Sequence, residues 1–190
     1  MKGKIRLDHA ASTVFAPQLV GLVTTIDRAN QPNVATFAWI MSTSHDPELI
    51  AISVSKARYT YECLTDEFVI NLPTKELVEQ VWAVGTLSGR DVNKLQFAGL
   101  TPIPSEVVRP PRIAECLTHI ECRIVNTLET GDHIIFIGEV VAKSGDFDAI
   151  IDGTLNEHVE PLFHLGGTKF LSGHKRIDVN EHGHRKTGGV

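Results

Sequence analysis

The stretch Ser53-Val54-Ser55-Lys56-Ala57-Arg58-Tyr59-Thr60 gathers two cations and three Ser or Thr hydroxyls, with no carboxylate, directly after an apolar run. Alternation along a strand over 49–54 places Ala51, Ser53 and Ser55 on one face, and Lys56 and Arg58 follow where the strand gives way to a turn. Such a set suits an anion, a phosphate monoester above all. Arg grips phosphate oxygens with a planar fork, Lys adds a point charge, and Ser or Thr supplies short hydroxyl bonds. An ordinary solvated turn has the same composition, so this stretch leaves both readings open.

The elements that must position these residues read as mainly β. Residues 19–26 form an apolar strand, residues 27–32 a turn in which Asn30 takes the left-handed conformation, and residues 33–40 a second strand completing a hairpin. In that second strand Asn33, Ala35, Phe37 and Trp39 share one face. Ser42-Thr43-Ser44-His45-Asp46-Pro47 reads as a turn into the strand over 49–54. A short helix is expected near 60–64, with Thr60 as its cap and its first-turn N–H groups facing the same anion as Arg58, then a strand over 67–71. Leu77, Val78, Val81 and Trp82 recur at helical spacing and Gly85 reads as the stop, which makes Trp82 a core residue and the helix one without chemistry. A second short helix follows Ser88-Gly89-Arg90-Asp91 and ends at Gly99. Residues 117–128 and 134–142 are two long β patterns joined through Glu129-Thr130-Gly131-Asp132-His133. Short strands of this kind favour an antiparallel barrel. One domain is expected over 1–170, and 171–190, with His174, His182 and His184, reads as a polar, mobile tail.

With 190 residues, 42% of them hydrophobic, the chain suits one packed core. A formal net charge of -5 without a basic stripe argues against nucleic-acid or anionic-membrane partners. No apolar run reaches the roughly 20 residues of a membrane helix, and no continuous signal core follows the basic start, so a cytoplasmic location is expected. Three cysteines without a CxxC read as free thiols. Cys63 reads as a small buried residue rather than a nucleophile, because no His lies close to it in sequence.

Several stretches, taken in order, resemble the flavoredoxin and flavin reductase-like family. They are Leu22-Val23-Thr24-Thr25, Asn33-Val34-Ala35-Thr36-Phe37-Ala38-Trp39, Asp46-Pro47, the 53–60 stretch, Phe68-Val69-Ile70-Asn71-Leu72-Pro73, and Ser88-Gly89-Arg90-Asp91 with Lys94. Gly131-Asp132-His133 with Gly138-Glu139-Val140 and His164-Leu165-Gly166-Gly167 complete the set. Asn30 stands where that family usually has a turn glycine, a conformation Asn tolerates.

The resemblance implies an FMN-binding split β-barrel, antiparallel and Greek-key-like, working as a homodimer. It implies that Ser53, Ser55, Lys56, Arg58 and Thr60 hold the FMN phosphate and that Asn33, Ala35, Thr36, Phe37 and Trp39 line the isoalloxazine and ribityl region, Trp39 being equally readable as core. It further implies Lys94 at the flavin edge, His133 beside the flavin or an incoming nicotinamide as donor or shape element, and Phe163 and His164 covering the ring. A metal site at His158, Glu160 and His164 is the weaker rival, lacking a second close pair of ligands. The expected activity passes electrons from NADH or NADPH through flavin to a small-molecule or protein acceptor. A flavoredoxin-type electron carrier without a nicotinamide site is the alternative. The chain has no GxGxxG fingerprint, so a nicotinamide would bind transiently over the flavin.

Overall fold

The computed structural model describes residues 3–173. The first helix is α1 (Ala11–Val14), followed by β1 (Gln18–Leu19), β2 (Gly21–Ile26), β3 (Pro32–Phe37), β4 (Ile40–His45) and β5 (Glu48–Ser55). Then come α2 (Tyr59–Cys63), β6 (Glu67–Leu72), a 3-10 turn (Lys75–Leu77), α3 (Val78–Thr86) and α4 (Lys94–Ala98). The short strands β7 (Pro102–Ile103) and β8 (Arg112–Ile113) lead to the long pair β9 (Thr118–Thr130) and β10 (His133–Gly145). Two small hairpins finish the described chain: β11 (Ile150–Ile151) with β12 (Thr154–Leu155), and β13 (Leu162–Gly166) with β14 (Lys169–Ser172).

Seven strands form one sheet in the order β3-β2-β6-β9-β10-β5-β4, with antiparallel neighbours throughout. Its two edges, β3 and β4, are consecutive in sequence and are linked only through Ala38 and Trp39. Such a sheet must curl until its edges meet, and among the described residues no ladder joins β3 to β4. The result is a split barrel, mainly β with short helices. The connection from β5 to β6 passes over β10 and β9, which is the Greek-key crossing.

β2 is buried along nearly its whole length because both of its faces are covered. Val23 joins Phe37, Ile52, Val54, Phe68, Ile70, Cys122 and Phe136 inside the barrel. Leu22 and Val20 face the other way, against Val81 and Val84 of α3 and Leu95 of α4. Helix α3 comes close to β3: Thr36 Oγ1 donates to the Val81 carbonyl at 2.5 Å, and a Cβ on Gly85 would stand 3.1 Å from Thr36 Cβ. Gly85 therefore serves this close approach rather than stopping the helix, which runs on to Thr86.

Inside the barrel, a Cβ at Gly138 would lie 2.7 Å from Phe68 Cζ and 2.8 Å from Cys122 Cβ. Gly138→Ala should lower unfolding free energy by about 1.5 kcal/mol, read as a lower urea midpoint at unchanged slope, because a packed interior resists an added methyl. An unchanged midpoint would mean that Phe68 yields freely.

Several sequence expectations change. Residues 42–45, expected in a turn, belong to strand β4; as a sheet edge with mostly exposed residues, its Ser-Thr-Ser run carries the polarity of a loop. The turn is confined to Asp46-Pro47. Thr60 does not cap α2: Arg58 holds the cap position without a side-chain cap bond, and Thr60 is the helix's second residue. Strand β14 runs across the expected boundary at 170/171, pairing Leu171 with Phe163 and Ser172 with Leu162. The rest of the expected tail, 174–190 with its histidines, lies outside the described residues. The Asn30 turn has φ 60°, and Gly99 ends α4 at φ 65°. No helix among the described residues is long and apolar enough to cross a membrane.

Candidate functional site

Beside the barrel's split, between β3, the end of β5, helix α3 and the β13–β14 hairpin, lies a cavity of about 610 Å³. That volume is within the ~300–1,000 Å³ typical of small-molecule sites. Its described lining contains Arg58, Arg90, Lys94, His133 and His164 but no Asp or Glu. Cations facing a common space without a carboxylate leave that space positive, which selects an anion.

Two of the three Lys or Arg cations differ sharply in setting. Lys94, at the start of α4, is 5% exposed, and its Nζ donates to the Val84 carbonyl at 3.1 Å. Burial, and then the nearby Arg58 charge, push its pKa down to about 8. Arg58 is exposed at the turn after β5; neighbouring ion pairs join Lys56 to Glu129 and Arg90 to Glu62, leaving Arg58 unpaired among the described residues. Arg90 is the tethered one: besides Glu62, its guanidinium lies 5.3 Å from the centroid of Tyr59. Tyr59 in turn donates to Asp27 at 3.0 Å, and burial followed by that bond lifts its pKa to about 12.

Strand register brings the other wall together. Ser53 N–H donates to the Trp39 carbonyl at 3.0 Å, and Ser55 sits opposite His133 in the β5–β10 ladder. Ser53 and Ser55 point away from the barrel interior because Ile52 and Val54 alternate into it. Trp39 and His133 then meet at a tilt, ring centroids 4.8 Å apart and planes at 41°. His133 Nδ1 donates to the Asp132 carboxylate at 2.8 Å, a bond that lowers the Asp132 pKa and leaves Nε2 as the uncommitted ring nitrogen. Across the cavity, His164 Nε2 donates to the Gly167 carbonyl at 3.0 Å, which only a protonated nitrogen can do.

Of the residues singled out from the sequence, Ala35, Thr36, Phe37, Trp39, Ser53, Ser55, Arg58, Thr60, Lys94, His133 and His164 all line this cavity. Trp39, 44% exposed, is a wall rather than core. Three others do not line it. Lys56 is held by Glu129 at the tip of the β9–β10 hairpin, an ion pair that occupies its ammonium outside the cavity. Asn33 is buried near the start of β3, its amide nitrogen taken up by the Thr25 and Thr60 hydroxyls. Phe163 pairs with Leu19 and Leu171, away from the lining set. The rival metal residues are engaged separately: Glu160 pairs with Lys75, and His164 with Gly167.

Sequence reasoning missed Trp82, Gly85, Arg90 and Phe170, all of which line the cavity. Trp82 is 42% exposed and meets Phe170 edge-on at 6.4 Å. Its helical spacing with Val78 and Val81 concealed this, since a stripe's flank and its centre look alike in sequence.

Known proteins share this architecture. The flavin reductase like domain model matches residues 14–181. An uncharacterised protein of Archaeoglobus fulgidus is 39% identical over 130 residues, covering 67% of this chain and 73% of that one. YddH of Escherichia coli, also uncharacterised, is 30% identical over 181 residues, or 91% of this chain and 95% of its own. Among solved structures, the flavoredoxin of Desulfovibrio vulgaris (Miyazaki F) superposes with a TM-score of 0.83 at 29% identity, covering 94% of this chain and 98% of that one. With the split barrel and a family match over residues 14–181, the chain belongs to the flavin reductase like domain family.

Proposed function

We propose that this protein is an FMN-binding oxidoreductase that takes electrons from NADH or NADPH and passes them to a second acceptor. The observation that carries the reading is the cavity's polarity. Among the described residues it has an unpaired Arg58 and a buried Lys94 with no carboxylate, next to a wall built by Trp39 and His133. A phosphate ester joined to a flat ring requires this combination, and the donor set fits FMN: a guanidinium fork, a point charge, two hydroxyls and an aromatic surface.

The Arg58 fork, Lys94 Nζ and the Ser55 and Thr60 hydroxyls would hold the phosphate. Ala35, Phe37, Trp39 and Ser53 would flank the ring. Bound there, FMN supplies a ring that accepts a hydride and gives up its electrons to an acceptor. Asp132, by holding His133 Nδ1, fixes the imidazole against Trp39 and so sets the width of the opening through which a nicotinamide would stack. His133 thus works as shape element and donor, since hydride transfer depends on alignment more than on proton movement. Because the donor is a cytoplasmic metabolite, the reading implies a cytoplasmic protein.

A homodimer belongs to the same reading. Phe15, Leu19, Trp39 and Met41 are exposed apolar residues around a recess that shares Trp39 and Ser53 with the cavity. A second copy would cover such a face.

The likeness to a flavoredoxin favours one second reading, an electron carrier reduced by proteins rather than by nicotinamides. Anaerobic stopped-flow separates the two. NADH or NADPH should bleach the yellow FMN-loaded protein; bleaching by dithionite but by neither nicotinamide would replace the reductase with the carrier.

A further inference from the structure

Asn33 does not touch the cavity, yet its amide is 5% exposed and aimed at one of the cavity's hydroxyls. We propose that Asn33 is a positioning residue: by donating to Thr60 it leaves that hydroxyl's proton directed into the cavity, making Thr60 a donor committed to an anion. The ligand's identity in this inference rests on the FMN reading above.

Asn33 Nδ2 lies 3.2 Å from Thr25 Oγ1 and 3.3 Å from Thr60 Oγ1. Two N–H groups on one nitrogen meet two hydroxyl oxygens, the arrangement that satisfies an amide nitrogen in full. Its Oδ1 faces residue 89, where a Cβ would stand 2.5 Å away, and has no partner. Gly89 thereby lets the 87–90 segment close over the amide, and the buried setting makes each of these orientations costly to change.

The two threonines then differ in what they face. Thr25 is fully buried and does not line the cavity. Thr60 is 3% exposed and lines the cavity, and among the described residues nothing accepts its proton. A helical Thr ordinarily gives its hydroxyl to a carbonyl of the preceding turn, but Thr60 is the second residue of α2 and has no helical turn before it. Its lone pair engaged and its proton free, the hydroxyl is preset to donate. Bonds to charged acceptors are about twice as strong as neutral ones, so this donor favours a phosphate oxygen over the alcohol that riboflavin carries instead.

The test measures dissociation constants for FMN and riboflavin by flavin fluorescence quenching in wild type, Asn33→Leu, Thr60→Val and the double variant. Each single change should weaken FMN by about tenfold while riboflavin shifts by less than about threefold, and the double variant should be no weaker than Thr60→Val alone. The ratio of the two ligands cancels any unfolded fraction, and Asn33→Ala gives the same readout should the Leu variant not fold. Equal losses for FMN and riboflavin, or losses that add in the double variant, would overturn the inference by reducing Asn33 to a fold-supporting residue. Those outcomes leave wild-type FMN binding intact. A wild type that binds no FMN would overturn the functional reading and this inference together.

Discussion

Lys94→Met should move two quantities in opposite directions, raising the stability of the flavin-free protein at pH 7 and lowering its affinity for FMN. The ammonium is almost wholly buried, has one carbonyl acceptor, and lies in the field of Arg58. Among the described residues no carboxylate lines the cavity to offset it; Tyr59 and Cys63 have raised pKa values and stay neutral near pH 7, and Arg90 is held by Glu62. The folded-state pKa of Lys94 is therefore depressed, to about 8 from 10.5. Between those values the unfolded chain binds more protons than the folded one, so stability contributed by this group rises with pH across the window and is lost as pH falls through about 8. The shift corresponds to a penalty on the order of 3 kcal/mol at neutral pH.

Met keeps the volume without the charge. Below pH 8 the variant should unfold at higher urea concentration than wild type, and the difference should close as pH climbs toward 10.5. Binding of a phosphate dianion reverses the sign, because it keeps Lys94 charged. FMN uptake should then consume a proton above pH 8, and wild-type affinity should fall with pH by up to about tenfold per unit. The variant should be flat in that window and weaker at pH 7 by about 3 kcal/mol, roughly a hundredfold in Kd. Titration calorimetry in buffers of different ionisation enthalpy counts the proton directly. Unchanged FMN affinity with a lowered reduction potential would return Lys94 to the flavin edge.

Arg58→Ala is expected to weaken FMN by about 2 kcal/mol, near thirtyfold in Kd, on the scale of charged hydrogen bonds. Riboflavin should bind the variant as it binds wild type, because the guanidinium addresses the phosphate alone. The change has a second signature. Arg58 is one of the two causes that depress Lys94, so its removal should shift the pH dependence of FMN binding to higher pH. Salt should also matter less to the variant, since an exposed cation is screened where a buried one is not. If FMN affinity is unaltered, Arg58 has no place in the site.

Much of the frame is legible from residue order. The β9–β10 hairpin, the left-handed Asn30 turn, α2 within one residue of its expected start, and the Gly99 stop all follow from alternation and turn chemistry, which act over a few neighbours. Edge strand β4 escapes notice because its Ser-Thr-Ser run carries the polarity of a loop. Helix α3 is visible, but its role is not: Trp82 and Gly85 look like core and stop signal until β3 and the β13–β14 hairpin are brought against them.

The site divides in the same way. That cations and hydroxyls cluster at 53–60 without a carboxylate is a property of the chain itself, one that suits an anion and a solvated turn alike. Which cations face that anion is not. Lys56 and Arg58 are indistinguishable in sequence, yet Lys56 meets Glu129, 73 residues away, while Arg58 meets no carboxylate among the described residues and shares its surroundings with Lys94. Local pattern determined the elements and their chemical stock, because strand period and turn chemistry are short-range. Folding alone decided which charges were neutralised and which were left facing the cavity, since an ion pair depends on distance in space rather than on separation along the chain.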